Sequence, residues 1–108
     1  MCSSREQRKK RSKVLSFIEQ ITIKYPKEIK DVFSNGYCFW FAIILRERFH
    51  GEIWFNSSLV HFATCIENRL FDVNGMIDDT YGWMPWTEFQ ERNHYEAQQV
   101  IRTVIKKV

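Results

Sequence analysis

No stretch of this chain approaches the roughly 20 apolar residues that a membrane-spanning helix requires. Its longest apolar run, Tyr37 to Leu45, is nine residues. The basic N-terminus is followed by no apolar h-region, so a secretory signal is not expected and a cytoplasmic location is. Cysteine is scarce: Cys2, Cys38 and Cys65 are odd in number and contain no C-x-x-C pair. That pattern argues against a disulfide framework and against a zinc site of ordinary spacing. No internal repeat, low-complexity tract or linker divides the 108 residues. One compact domain with a single modest core is the expectation, and no motif implies a metal or a cofactor.

Aromatic residues, by contrast, are abundant. Nine Phe, four Trp and four Tyr exclude a disordered chain. Charge is unevenly placed, since Met1–Lys13 holds six Lys/Arg against one Glu, leaving ten Lys/Arg against twelve Asp/Glu in the remainder. The chain therefore divides into a basic N-terminal segment, 1–13, and a domain, 14–108. The basic segment reads either as a solvated helix start or, through Arg5 to Lys13, as an arm that neutralises the phosphates of a nucleic acid.

Ser3 or Ser4 is placed to cap a helix reaching about Tyr25, with Val14, Phe17, Ile18 and Ile21 at helical spacing and Pro26 ending it. Lys27 to Phe33 reads as a short helix or loop, and Ser34-Asn35-Gly36 as a break. From Tyr37 to Phe49 the chain is apolar on nearly all sides for two turns and then charged, which predicts a buried helix emerging into solvent, with Gly51 at its C-cap. The period then becomes two. Strands are expected at Glu52–Phe55, Val60–Ile66 and Leu70–Val73, with turns at Asn56-Ser57-Ser58 and Glu67-Asn68-Arg69. Met76 to Pro85 reads as an aromatic-rich loop, followed by helices capped by Thr87 and Asn93. The fold class is α+β: a buried helix with Cys at its N-terminus, packed on a small antiparallel three-stranded sheet and flanked by N- and C-terminal helices.

Cys38 opens the most apolar helix, where unpaired N–H groups and the helix dipole favour a thiolate and can also stabilise an oxyanion. His61 begins a strand on a face with the small residues Ala63 and Cys65, which leaves room for the buried helix beside it. Its imidazole is the candidate base for the thiol. Asp72 and Asn74 are the candidates to orient that imidazole by accepting the Nδ1 proton, leaving Nε2 for the cysteine. With a tight turn centred on Asn68, His61 pairs near Gly75. Asp72 then lies about 10 Å along the ladder at 3.3 Å per residue, and Asn74 is nearer. Tyr37, Tyr81, Trp83 and Trp86 are the candidate substrate- or partner-binding residues, the last three in the segment YGWMPW beyond the third strand. Cys65 reads as a core residue, His50 as a helix-end residue and His94 as a surface one.

The segments NGYCFWFAIILRERF and HFATCIENRLFDVNG resemble the papain-like cysteine superfamily, in the compact form shared by NlpC/P60 hydrolases, transglutaminases and arylamine N-acetyltransferases. The resemblance covers residues 34 to 75. It implies a papain-like core with Cys38 as nucleophile, His61 as base and Asp72 as orienting residue, acting on a peptide, isopeptide or other amide through a thioester. The alternative expectation is an inactive scaffold that binds a protein, as a phage- or mobile-element-encoded inhibitor or modulator.

Overall fold

The computed structural model describes residues 5–24 and 37–105. The predicted caps Ser3 and Ser4, the stop at Tyr25-Pro26, the Lys27–Phe33 element and the Ser34-Asn35-Gly36 break lie outside the described residues, as do Cys2 and Val108. Helix α1 spans Arg5–Lys24 and α2 spans Cys38–Phe49. Five strands follow: β1 Glu52–Asn56, β2 His61–Ile66, β3 Arg69–Asp72, β4 Gly75–Ile77 and β5 Trp83–Pro85. The chain then enters α3, Trp86–Arg92, and α4, His94–Val100, which runs into a π-helical turn at Ile101–Ile105. The strands form one antiparallel sheet in the order β4-β3-β2-β1-β5. Among the described residues the domain is therefore α+β, with four α-helices and a five-stranded sheet rather than the three-stranded one expected.

The two added strands are three residues each, too short for a period-two signal; β5 lies in the stretch expected to be a loop, and β4 starts one residue before it. The β4 strand returns from β3 through a two-residue turn, since Asp72 pairs with Gly75. Edge strand β5 tolerates Pro85 because an edge residue needs no ladder donor on its outer side. Strand β2 starts at His61, one residue later than expected. Val60 is left in the turn at a φ of 49°, an unusual conformation for a β-branched residue.

Helix α2 divides the core. Phe41 and Leu45 pack with Val14 and Ile18 of α1 and with Ile66, Phe71 and Val73. Cys38 and Ala42 pack with Ile53, Phe55, Phe62, Trp86, Phe89 and Ala97. Serving two clusters explains the apolar composition of α2, although its outer side leaves Trp40 and Ile44 substantially exposed. The fully buried Thr64 hydroxyl donates to the Ala42 carbonyl at 2.7 Å. The helix thus lies over the face that carries Phe62, Thr64 and Ile66, not beside Ala63 and Cys65 as expected.

Three local expectations are corrected by packing. The left-handed residue that closes α2 is His50, at φ 57°, rather than Gly51. Gly51 is instead required by close approach, because a Cβ there would meet Thr64 Cγ2 at 2.6 Å and the Cys65 carbonyl oxygen at 2.8 Å. Gly51→Ala is expected to lower stability by about 1–3 kcal/mol, the usual cost of overpacking, as read from the urea midpoint; an unchanged midpoint would contradict this packing. Neither later helix takes its predicted side-chain cap: α3 begins at Trp86 with Pro85 as its N-cap residue, and Asn93 precedes α4 without a side-chain cap bond.

Candidate functional site

The N-terminus of α2 meets the starting end of β2 where the neighbouring strand stops. Strand β3 pairs with β2 only from Thr64 to Ile66. This leaves the edge of β2 open at Phe62, whose backbone N–H is directed to the Cys38 thiol. Tyr37, half-buried, supplies the N-cap position, and its carbonyl accepts the N–H groups of Trp40 and Phe41 at 3.1 and 3.3 Å. Cys38 itself is buried, only 4% exposed.

His61 bonds to both candidate partners. Its Nε2 lies 2.9 Å from Asp72 Oδ2, and its ring also hydrogen-bonds to Cys38. The orienting carboxylate thus takes Nε2 and leaves Nδ1 for the thiol, the reverse of the expected assignment. Asp72 is fixed in turn by the Asn74 backbone N–H, which donates to Oδ1 at 2.8 Å. Asn74 therefore reaches the site through its backbone N–H, which holds the carboxylate bonded to His61.

The expected 10 Å separation of His61 and Asp72 fails because the turn is one residue shorter than assumed. Glu67 and Asn68, with φ of 50° and 63°, make a two-residue turn of the primed type that suits hairpin twist. Ile66 then pairs with Arg69 and Cys65 with Leu70. A shift of one residue exchanges the two faces of a strand, and here it brings Asp72 onto the face of His61.

Charge in this array is displaced toward an ion pair. Burial pushes the Cys38 thiol up, but this is outweighed by the hydrogen bonds from His61 and the Phe62 N–H, the imidazolium charge and the Cys38 N–H. The net effect holds the thiol below its ordinary value. The hydrogen bond to Asp72, then that to Cys38, raises His61 against burial from 6.5 to about 9. Because the folded value lies above the unfolded one, stabilisation from His61 is complete below about pH 6.5 and is lost as pH rises through about 9. Asp72→Asn is expected to bring the His61 titration down toward the ordinary histidine value, as followed by NMR of its ring protons; an unmoved titration would contradict Asp72 as the main cause.

The aromatic candidates separate. Trp83 sits opposite Asn56, which sits opposite His61, so the three form a row across the end of the sheet. The Trp83 and His61 rings meet edge to face with centroids 5.9 Å apart. Tyr81 is 88% exposed. Trp86 is buried against Phe55, Phe62 and Phe89, with centroids 4.9 to 5.7 Å away. Sequence reasoning also missed Asn56, taken only as a turn residue. Its buried amide accepts the Leu59 N–H at 3.1 Å and donates to the Tyr81 carbonyl at 3.2 Å, tying together the two loops that flank His61.

Cys65 is half-buried rather than a core residue, and its thiol is pushed up by burial and by the Glu52 carboxylate. His50 closes α2 and His94 is the exposed first residue of α4. Among the described residues no three His, Cys, Asp or Glu side chains converge to hold a metal ion, and no helix is long and apolar enough to cross a membrane.

These features define a small α+β domain with a thiol, an imidazole and a carboxylate joined in sequence at one end of its sheet. A family model described as phage YunG-like protein matches residues 14–107, and the chain belongs to that phage-associated family of small proteins. No curated protein and no solved structure matches it. The family assignment corrects the resemblance to the papain-like cysteine superfamily: the match is to phage YunG-like proteins, and nothing in these comparisons connects the chain to the papain-like enzymes.

Proposed function

We propose that this phage-family protein performs acyl transfer or amide hydrolysis with Cys38 as the nucleophile. The observation that carries the reading is the His61 imidazole held 2.9 Å from the Asp72 carboxylate and acting on the Cys38 thiol at the N-terminus of α2, which lowers the thiol's pKa. In the resting ion pair the His61 imidazolium donates to the Asp72 carboxylate and the Cys38 thiolate. The thiolate attacks the substrate carbonyl carbon, and the oxyanion that forms is stabilised by the Cys38 and Phe39 N–H groups, which open α2 ahead of the first helical hydrogen bond, from Trp40 N–H to the Tyr37 carbonyl. His61 then gives its proton to the leaving amine as the thioester forms. Water, deprotonated by His61, or an acceptor amine releases the acyl group. Asp72 positions the imidazole throughout, and Trp83 packs edge to face against the same ring.

The test is turnover of a panel of peptide, isopeptide and arylamide substrates. Cys38→Ala is expected to abolish it while the fold persists, and retained turnover in that variant would overturn the reading.

A second reading is favoured by the family membership: a phage-encoded binding protein that modulates a partner without chemistry. The exposed Trp40 and Ile44 on α2, with Tyr81, would then carry function. Binding of a partner would survive Cys38→Ala and be lost in Trp40→Ala.

A further inference from the structure

Helix α1 holds seven of the sixteen Lys and Arg residues and only two of the thirteen acidic ones. Where it passes the C-terminal end of α2, the two helices enclose a groove of about 540 Å³ lined by Lys9, Lys10, Lys13, Arg48, Phe49 and His50. The groove continues into a second hollow that shares Lys13, Arg48 and Phe49 and adds Ser16, Phe17 and Gln20. Among the described residues no carboxylate lines either hollow; Glu67 meets Lys10 from the side at 3.5 Å.

The arrangement has a cationic edge and an aromatic floor. Lys9, Lys13 and Phe17 follow one another at four-residue intervals, about 6 Å per step along one side of the helix. The Arg48 guanidinium lies 4.5 Å from the Phe17 ring centroid, and Phe17 meets Phe49 edge to face at 5.6 Å. The carbonyl end of α2 attracts some positive charge, but a helix dipole amounts to about half a charge. The Arg46 carbonyl is already covered by the His50 and Gly51 N–H groups. Four cations exceed what that end needs.

We propose that this groove binds single-stranded nucleic acid, with phosphates on Lys9, Lys13 and Arg48 and a base against the guanidinium–aromatic floor. The aromatic floor favours this ligand over an acidic peptide, which would use the cations alone. The groove lies at the opposite end of α2 from Cys38, so binding is independent of the thiol chemistry.

Fluorescence anisotropy with a labelled single-stranded oligonucleotide of mixed sequence, across about 50–200 mM salt, tests it. The Lys9→Ala/Lys13→Ala protein is expected to bind at least tenfold more weakly. Its log–log salt slope should be smaller by about 1.4, from about 0.7 per lost phosphate contact. Arg102→Ala, which removes an exposed cation outside the groove, should change Kd less than twofold, and Cys38→Ala should not change it. Absence of saturable binding at the lowest salt, an equal loss in Arg102→Ala, an unaltered slope, or displacement by polyglutamate as readily as by unlabelled oligonucleotide would each overturn the proposal.

Discussion

Replacing His61 by alanine is expected to reduce turnover by about 10²–10⁴-fold, the usual contribution of a positioned acid–base group, and to return Cys38 to an unactivated thiol. The reason lies in the balance at Cys38. Burial opposes ionisation, and the His61 contact is the largest of the effects that reverse it. Without the imidazole the Phe62 and Cys38 N–H groups remain, but the charge partner and the proton acceptor are gone. Asp72→Asn should be milder, because it leaves the Cys38 contact and removes only the group that fixes the ring. Two variants with equal losses would indicate that the thiol depends on something other than this array.

Phe62→Ala is expected to produce the largest loss of stability, about 3–5 kcal/mol. The Phe62 ring is fully buried and packs against Phe39, Phe55 and Trp86 with centroids 4.8 to 4.9 Å apart. It joins α2, the sheet and α3, so truncation opens a cavity that no single element can close. Domains of this size have only about 5–15 kcal/mol in hand, so the thermal midpoint should fall by more than about 10 °C. Phe62→Leu should recover most of the loss. The backbone N–H that reaches Cys38 is present in both variants, so this defect belongs to packing rather than to the thiol. A midpoint unchanged in Phe62→Ala would contradict the described core.

Much of this architecture was legible in the amino-acid sequence because it rests on strong periodicity. Val14 and Ile18 marked the buried side of α1, the unbroken apolar run marked α2, and the alternation from Phe62 to Ile66 marked β2. The short strands β4 and β5 were not legible, since three residues give no period and their pairing partners are set by the rest of the sheet. At the site, Cys38, His61 and Asp72 could be named as candidates from their places on elements. Their relation depended on a single residue of register at Glu67-Asn68, and on which ring nitrogen faces which partner. Asn74-Gly75 read as a turn in sequence, but that its N–H fixes Asp72 appears only in three dimensions. Trp86 could not be separated from Trp83 and Tyr81 by composition, because one residue of helix α3 decides which aromatic enters the core.

The ionisation of Cys38 is the most direct test of the central claim, measured by the pH dependence of ultraviolet thiolate absorbance as the difference between wild type and Cys38→Ser. Absorbance does not require a reagent to reach a buried sulfur, and Cys65, whose thiol is pushed up, cancels in the difference. The account predicts a Cys38 thiolate that forms below the ordinary cysteine value of about 8.5, with this advantage lost in His61→Ala. A Cys38 that ionises at or above that value, indifferent to His61, would contradict it.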